Sequence, residues 1–442
     1  MKRVATSAAL LAVLVLLSAG AAGGAPAGKH GPTKLTVWVG WSAGHELTAF
    51  KKLAAEYQSQ HKDVSLSVVG GITDTKIVAA IRAGNAPDVV SSFNSYNVGV
   101  YCGTKGWIDL APLLKQSNIS ASIFPSVAQY YTEYNGTRCA LPLLADSYGL
   151  YYNKTLFKKA GITSPPKTIS ELTADAKKLT QRNPDGSLKV VGLDPFIGFY
   201  ENVPERWAAA FGGKYIDAKG NAILADQAAW PKMLKWQKAL VDWYGYDKLV
   251  KFQAGLGDEF SSSNAFETGK LAMNLDGEWR VAFIQNEKPS LQYGTAPIPV
   301  DDAQPGLYGS GYINGTIIGI PKNGHHTAQA WDLVKYLTTN VHALSELANG
   351  LRNVPSTTAS THSKELIPDA NFATFLKIFA NPKSSTSPIM ASGASYTNLV
   401  QNFMTKWQAG KVSVKSLPSA LKDLDKQLDA QVKQAKGGGG VP

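Results

Sequence analysis

Four acidic residues lie beside aromatic residues in segments that the sequence pattern predicts as loops: Asp146, Glu201, Asp276 and Glu278. Two carboxylates that flank a glycosidic bond can act as a general acid and as a base or nucleophile. Carboxylates can also accept hydrogen bonds from sugar hydroxyls while an aromatic ring covers the apolar face of the sugar. We favour hydrogen bonding for loop carboxylates of this kind, ahead of plain solvation, and place catalysis last.

Aromatic residues are abundant, with 10 Trp and 18 Tyr in the 442 residues. Those that fall in predicted loops beside polar residues and glycines are Trp41, Trp279, Tyr200, Tyr312 and Tyr396. Each ring could stack on a ligand, and packing in the core or at its rim is the equally weighted alternative.

The sequence lacks the motifs of several other chemistries. The GSG triplet at Gly309–Gly311 has no GxSxG frame around a nucleophilic serine, and none of the seven histidines pairs with another at HExxH spacing. No P-loop or GxGxxG motif occurs. We therefore expect no metal site and no cofactor.

The first 25 residues have the pattern of a secretory signal peptide. Lys2 and Arg3 precede an apolar run and then small residues, with cleavage expected between Ala21 and Ala25. No cysteine follows the small residues, so lipid anchoring is not expected, and no later segment is apolar enough to span a membrane. The sequence predicts an exported protein, at the cell surface or in the periplasm or outside the cell, with a flexible leader at 26–32 and a flexible tail at 437–442.

The chain is basic. Removal of Lys2 and Arg3 lowers the formal net charge from +11 by two, to +9. An anionic partner is one interpretation, and a solvated basic surface is the favoured one, because no Lys/Arg cluster alternates with aromatic residues as in a nucleic-acid groove. We expect no nucleic-acid partner.

The sequence contains two cysteines, Cys102 and Cys139. Export favours a disulfide between them. A metal or redox pair is the alternative, but no CxxC or His/Cys spacing supports it.

The mature chain opens with strands that alternate with helices. The segments KLTVWVGWS, VSLSVVGG and PDVVSSF have strand patterns, and the two stretches between them have helical spacing of apolar residues. This order predicts an α/β fold with a largely parallel sheet. Since ligands bind beyond the carboxyl ends of such strands, we expect a site at Gly40–Glu46 and Ser91–Asn97.

The stretch Pro142–Ile162 has the pattern of a short strand, a sharp turn at Asn153 and a helix, and the acidic Asp146 lies ahead of that strand in a segment otherwise fit for burial. Tyr151 and Tyr152 are expected in the core. Farther along, Thr168–Glu171 forms a capping box, Leu271–Leu275 a strand that ends in a turn at Asp276–Gly277, and roughly Pro418–Lys436 the last helix.

Four segments in this order resemble the extracellular solute-binding proteins of sugar ABC transporters, the maltose- and glycerol-3-phosphate-binding type. In the segment Pro142–Ile162 the matching residues are Pro142, Leu143, Gly149, Leu150, Tyr151, Tyr152, Asn153 and Phe157, and Leu144 is larger than the usual residue. The other segments are NAPDVVSSFN, FETGKLAMNLDGEWR and GSGYINGTIIGIPKNG. The resemblance covers nearly the whole mature chain.

The resemblance implies a periplasmic-binding-protein-like fold of type II, with two α/β lobes, a multi-strand hinge and a ligand cleft between the lobes. By matching segments, the N-terminal lobe is 33–144 plus 300–350, and the C-terminal lobe is 145–299 plus 351–436.

The resemblance also implies a set of ligand-binding residues on both lobes. From the N-terminal lobe these are Trp41, His45, Glu46, Asn94, Ser310, Gly311 and Tyr312; from the C-terminal lobe they are Asp146, Tyr200, Asn202, Asp276, Trp279 and Arg352. The rings would stack on the ligand, the carboxylates and amides would bind hydroxyls, and Arg352 would bind a hydroxyl or an anionic group.

The function that we infer is capture of a carbohydrate and its delivery to the permease subunits of an ABC importer, by a monomeric, non-enzymatic protein. One alternative is a secreted glycan hydrolase that pairs Asp146 with Glu201, Asp276 or Glu278. Another is a binding protein for an anionic sugar derivative, which the basic charge and Arg352 would favour.

Overall fold

The computed structural model describes residues 31–42 and 44–436, so the predicted signal peptide, most of the leader and the tail lie outside the described residues. The strands are β1 (Thr33–Trp38), β2 (Val64–Val69), β3 (Val89–Ser92), β4 (Leu141–Asn153), β5 (Gln181–Arg182), β6 (Leu188–Val190), β7 (Met273–Gly277), β8 (Tyr293–Ala296), β9 (Ile313–Gly319) and β10 (Val354–Pro355). The helices are α1 (His45–Gln60), α2 (Asp74–Arg82), α3 (Val98–Gly103), α4 (Ala111–Gln116), α5 (Ser126–Tyr130), α6 (Lys154–Lys159), α7 (Ile169–Leu179), α8 (Pro204–Phe211), α9 (Ala229–Tyr244), α10 (Tyr246–Gln253), α11 (Arg280–Glu287), α12 (Thr327–Thr339), α13 (Val341–Leu351), α14 (Thr358–Thr361), α15 (Phe372–Ala380), α16 (Ser395–Gln408) and α17 (Leu417–Lys436).

The first three strands form the parallel part of the sheet. β1 pairs with β2 and with β3, both in parallel, because helices α1 and α2 carry the chain back between them. α1 buries one apolar stripe, which contains Phe50, Leu53 and Tyr57, and packs against α13. We call β1–β3, β9, α1, α12 and α13 the β1 side of the molecule.

The thirteen-residue strand β4 joins two differently composed parts of the structure. Residues Leu141–Ser147 pair antiparallel with β9, whereas residues Tyr148–Asn153 pair with β7 and β8. Asn153 then caps α6, because its Oδ1 accepts from the N–H of Leu156 at 3.0 Å. The predicted strand, turn and helix are therefore present, and the strand is longer than its apolar run suggested.

The helices that follow β4 pack around β7 and β8. α15 lies on β4 and β8, and α8, α9, α16 and α17 pack on one another. The capping box predicted at Thr168–Glu171 starts α7. We call β7, β8, α8–α11 and α15–α17 the β7 side.

One predicted turn is a strand. Asp276 and Gly277 were expected to form a turn, but they are the last two residues of β7, opposite Gly149 and Tyr148 of β4. Asp–Gly favours turns locally, and here pairing with a long buried strand outweighs that preference.

Three neighbouring segments of the chain cross between the β1 side and the β7 side. β4 crosses near Asp146, β9 begins opposite Ser147, and β10 pairs antiparallel with Leu144 and Ala145. Because these segments share one ladder of hydrogen bonds, the side chains that they carry at the crossing have fixed positions.

The predicted disulfide is confirmed. Cys102 at the end of α3 is bonded to Cys139 just before β4, with 5.4 Å between the two Cα atoms. The described part of the chain contains no helix with the length and apolar character needed to cross a membrane.

Candidate ligand-binding site

A cavity of about 340 Å³ lies where the β1 side faces the β7 side. Its lining residues are Gly40, Trp41, Ser42, Glu46, Phe93, Asn94, Tyr96, Asp146, Tyr148, Arg206, Phe260, Trp279, Phe283, Asn314, Thr316 and Asn353. We call it the cleft cavity. Seven of the sixteen lining residues are aromatic and eight are polar or charged, so the cavity combines ring surfaces with more polar groups than a typical small-molecule site has.

The loops that follow β1 and β3 form one wall of the cleft cavity. The ring of Phe93 packs against Gly40, where an added Cβ would come within 2.5 Å of the ring, so only glycine leaves room for it. Trp41 is 3% exposed and packs against Phe93, with 5.6 Å between ring centroids. These loops stand beyond the carboxyl ends of parallel strands, where the topology predicts a site.

Polar contacts behind this wall fix its shape. The amide of Asn94 donates to Asp74. Asn314 of β9 accepts from Ser95 Oγ at 2.7 Å and donates to the carbonyl of Phe93 at 2.8 Å. The loop after β3 is therefore held to β9, so that Asn94 and the ring of Phe93 have defined positions beside the cavity.

Trp279, just ahead of α11, forms the opposite wall. Its ring covers Gly277, whose added Cβ would come within 2.3 Å of the ring, and meets Tyr148 edge to face at 5.5 Å. Phe260 lies near Phe283 at 5.6 Å and is 56% exposed. The β7 side therefore presents a fixed ring and an accessible one to the cavity.

Arg206 of α8 is the lining residue with a permanent positive charge. Its guanidinium pairs with Glu201 and lies 3.8 Å from the ring centroid of Tyr148. Both charges are mostly shielded from solvent, so the attraction between them is strong and the pair is costly to break. Arg206 is thus a rigid donor in the cavity wall whose charge is already matched.

Asp146 lies at the crossing of β4, and 4% of its surface is exposed. Its carboxylate accepts from Thr316 Oγ1 at 3.3 Å and from Asn353 Nδ2 at 3.2 Å. Burial raises the pKa of Asp146 from 3.8 to about 7, and the hydrogen bond from Thr316 opposes this rise. Near neutral pH the group can therefore present either an acceptor or a donor to a ligand.

Glu278 stands behind Asp146 and clamps the crossing segments. Its carboxylate accepts from the N–H of Ser147 at 2.7 Å, from Asn353 Nδ2 at 3.1 Å and from the N–H of Val354 at 3.3 Å. Burial raises the pKa of Glu278 well above its usual range, and the nearby Asp146 raises it further. Glu278 does not line the cleft cavity, so it positions residues and does not contact a ligand there.

Glu46, in the first turn of α1, is the second acid of the cavity wall. Burial raises its pKa from 4.5 to about 7, while the Arg280 guanidinium lowers it. The pKa of Asp146 is also raised to about 7, so the cavity contains two carboxyl groups that gain or lose a proton near neutral pH. Its one guanidinium is already paired. This arrangement suits hydroxyl groups, which both donate and accept hydrogen bonds.

Five of the residues predicted from the sequence line the cleft cavity: Trp41, Glu46, Asn94, Asp146 and Trp279. They come from both sides of the molecule and from the crossing. Their contact with a ligand stays a prediction.

The other eight predicted residues do not line the cleft cavity, and four of these belong to the β1 side or to β9 and the segment before it. His45 packs edge to face on Phe283 at 4.7 Å. Ser310 donates to the carbonyl of Leu307 at 2.6 Å, and Gly311 donates to Ser384 Oγ at 3.1 Å. Tyr312 has its hydroxyl 2.6 Å from Ser387 Oγ and lines a different cavity.

The other four, from the β7 side and the crossing, form hydrogen bonds within the protein and do not line the cleft cavity. Tyr200 donates to the carbonyl of Gly257 at 2.6 Å, and Asn202 donates to the carbonyl of Phe196 at 2.8 Å and accepts from Trp207. Asp276 is fully buried and accepts from Arg280 Nε at 2.9 Å. Arg352 donates to the carbonyl of Ile367 at 2.9 Å. Tyr396, singled out for its ring, lies in the core, where its hydroxyl donates to the carbonyl of Pro388.

Several lining residues were not predicted from the sequence. Asn314 and Thr316 are polar residues two apart on β9, and this alternation puts both on one face, a signal that the strand INGTIIG contains. Arg206 lies in a largely apolar helix and Phe260 in a serine-rich loop, so neither gave a usable signal.

Across residues 31–42 and 44–436, no group of three or more His, Cys, Asp or Glu side chains is placed to hold a metal ion.

Comparison with known proteins agrees with this geometry. A family model described as bacterial extracellular solute-binding protein matches residues 52–374. The maltotriose-binding protein of Pyrococcus abyssi is 25% identical over 329 residues, which is 74% of this chain and 67% of that protein. The mannitol-binding protein of Pseudomonas aeruginosa is 24% identical over 350 residues, 74% of this chain and 75% of that protein.

Solved structures show the same architecture. The structure titled CpMnBP1 with mannotriose bound has a TM-score of 0.79 and 28% identity, and it covers 90% of this chain and 100% of that one. The GacH receptor of Streptomyces glaucescens, at 19% identity over 91% of this chain and 99% of its own, has a TM-score of 0.72 and supports the fold alone. The predicted two-lobe α/β fold is confirmed, and the chain belongs to the bacterial extracellular solute-binding protein family.

Proposed function

We propose that this protein captures a sugar or oligosaccharide outside the cytoplasm and delivers it to the permease of an ABC importer, without catalysing a reaction. The observation that carries the proposal is the cleft cavity itself. Rings from both sides, Trp41, Phe93 and Trp279, meet there with the convergent polar groups of Asp146 and Asn353. Stacking on apolar sugar faces and hydrogen bonds to hydroxyls need this combination.

The charges of the cleft cavity favour a neutral ligand over an anionic one. Its guanidinium, on Arg206, is already paired with Glu201, and Arg352 lies outside the cavity. Glu46 and Asp146 would oppose a phosphate or carboxylate in their ionised forms. A neutral carbohydrate requires no unpaired charge, and so it fits the site better than a sugar phosphate.

The proposed lobes are 33–144 plus 300–350 and 145–299 plus 351–436, with export directed by a signal peptide at 1–25. The packing of α12 and α13 with β1 and α1, and of α15 with β8, supports this division. The three crossing segments would act as the hinge, and closure of the cleft would bury the ligand and form the surface that the permease recognises.

A hydrolase is less well supported, because the candidate carboxylates are engaged. Asp276 and Glu201 are paired with arginines. Glu278 accepts two backbone N–H groups and the amide of Asn353. A general acid and a base or nucleophile would each need free access to the glycosidic bond, and of these groups Asp146 alone lines the cleft cavity.

Isothermal titration calorimetry on the mature protein tests the proposal. The panel contains mannobiose, mannotriose, maltotriose and mannitol, with glycerol 3-phosphate and glucuronate as anionic comparators. We expect at least one neutral carbohydrate to bind, with an affinity that changes little with salt, since no charge pairing is involved. Binding of an anionic comparator alone, or release of shortened products from a bound oligosaccharide, would contradict the proposal.

A further inference from the structure

A second cavity, of about 350 Å³, lies between α5, α8 and the segment 384–388. It is as large as the cleft cavity and shares no lining residue with it. A volume above about 300 Å³ is in the range of small-molecule sites. We call it the serine-rich cavity.

Hydroxyl groups dominate the lining of this cavity. Eight of its sixteen lining residues carry one, namely Ser126, Tyr130, Tyr215, Tyr312, Ser384, Ser385, Thr386 and Ser387. The chain supplies four of them consecutively at 384–387. This segment is held in place because Ser385 exchanges backbone hydrogen bonds with Gly311 and Ile313 at 3.0 and 2.8 Å. The hydroxyl wall is therefore built on an ordered segment.

Glu205 of α8 is the acidic residue of the lining and is 5% exposed. Within the described residues no ion pair reaches its carboxylate, because the neighbouring Arg206 is paired with Glu201. Burial raises the pKa of Glu205, and Arg206 and the residue's own N–H lower it. A buried carboxyl without a cationic partner is costly unless hydrogen-bond donors reach it.

Two hydroxyl groups of the lining residues are unsatisfied. The hydroxyls of Tyr215 and Thr386 are buried and have no hydrogen-bond partner among the described residues. Such groups cost about 1 to 3 kcal/mol each when nothing pairs with them. At the edge of the cavity, the ring of Tyr130 is 51% exposed and offers a flat apolar surface.

We infer that the serine-rich cavity is a second binding site, for a small neutral polyol such as a sugar alcohol or a monosaccharide. A polyol supplies many hydroxyls that donate and accept, which the lining hydroxyls and the Glu205 carboxyl can match. The exposed Lys214 and the buried Glu205 have opposite charges, so the lining has no net charge to select an ion. The inference stands apart from the proposed function, since the two cavities have no residue in common.

Calorimetric titration with glycerol, erythritol, mannitol and glucose at millimolar concentrations tests the second site. Ala209→Trp fills the cavity from α8, and Glu205→Gln keeps the shape but removes the carboxylate; Ala174→Trp, at a different cavity on α7, is the matched control. We expect one of these polyols to bind wild type and the control with equal affinity. Both test variants should bind it at least about tenfold more weakly. For Glu205→Gln, loss of one charged hydrogen bond would produce this change.

Two results would overturn the inference: no binding of any of these polyols to wild type, or equal binding to wild type, Ala209→Trp and Glu205→Gln. Trp279→Ala separates this site from the cleft cavity. A polyol whose binding is lost in Trp279→Ala and kept in Ala209→Trp occupies the cleft, and the second site is then refuted while the proposed function stands. Circular dichroism checks that each variant is folded, and the nearly isosteric Glu205→Gln keeps the test valid should the larger substitution unfold the chain.

Discussion

Replacement of Asp146 by Asn should stabilise the ligand-free protein at alkaline pH, although Asp146 lines the cleft cavity. The carboxyl is buried, and no cation pairs with it in the described part of the chain. Its carboxylate oxygens accept hydrogen bonds from Thr316 and Asn353, and burial still raises its pKa to about 7. The ionised form is therefore disfavoured in the folded state, and an amide of the same shape avoids that cost.

The pKa shift sets the size and the pH window of the effect. The folded-state pKa of about 7 exceeds the unfolded value of about 3.9, so the folded protein keeps a proton that the unfolded chain releases between these pH values. The free energy of unfolding of wild type should consequently fall as pH rises through this window. About three pKa units at 1.36 kcal/mol each give at most about 4 kcal/mol above pH 8.

Urea unfolding of the ligand-free protein across pH 4 to 9 measures this difference. Asp146→Asn should match wild type near pH 4 and exceed it progressively up to about pH 8. The exposed Asp63 provides the control, since Asp63→Asn makes the same chemical change without removing a buried carboxyl. If Asp146→Asn is less stable than wild type at pH 8, the hydrogen bonds of the carboxylate outweigh its burial and the reasoning is refuted.

Three further outcomes follow from the contacts described above. Trp279→Ala should weaken carbohydrate binding at least about tenfold in calorimetry, because it removes a ring from the cavity wall, whereas Trp243→Ala, at an exposed ring of α9, should leave affinity unchanged. Arg206→Met should lower the free energy of unfolding by about 3 to 5 kcal/mol, because it leaves Glu201 shielded from solvent and unpaired. The double variant with Glu201→Gln should recover most of that loss in urea unfolding. Failure to recover it would contradict the pairing argument. The double variant Cys102→Ser and Cys139→Ser opens a loop with a sequence separation of 37 and should lower the free energy of unfolding by about 4 kcal/mol in the chain-entropy model. Sugar affinity in calorimetry should be retained, because neither cysteine lines the cleft cavity. An unchanged stability would argue against that model.

The strand order of the first hundred residues was enough to predict two of the loops that line the cleft cavity. Alternating strands and helices indicate a parallel sheet, and the segments Gly40–Glu46 and Ser91–Asn97 contribute seven of the lining residues. The acidic exception in β4, Asp146, also lines the cleft cavity. The position of these residues at the cavity could be predicted because it depends on local periodicity and on a topological rule, both of which are contained in the sequence. Their contact with a ligand stays a prediction.

The partners of polar residues could not be predicted in the same way. Asp276 resembled a ligand-binding carboxylate, but Arg280, four residues further on at the start of α11, binds it in the core. Asn202 satisfies the buried carbonyls of Asp194 and Phe196. Whether a loop carboxylate or amide faces a cavity or a buried donor depends on distant packing, which spacing along the chain does not encode.

The length of β4 has a thermodynamic consequence for the whole molecule. One unbroken strand completes the sheet on both sides, through β9 at one end and through β7 and β8 at the other. Unfolding of one side together with β4 would leave the strands that pair with β4 on the other side with a row of unpaired backbone groups, so partial unfolding of one side alone is unfavourable. We therefore expect a single cooperative melting transition, with equal calorimetric and van't Hoff enthalpies, despite the two-part architecture.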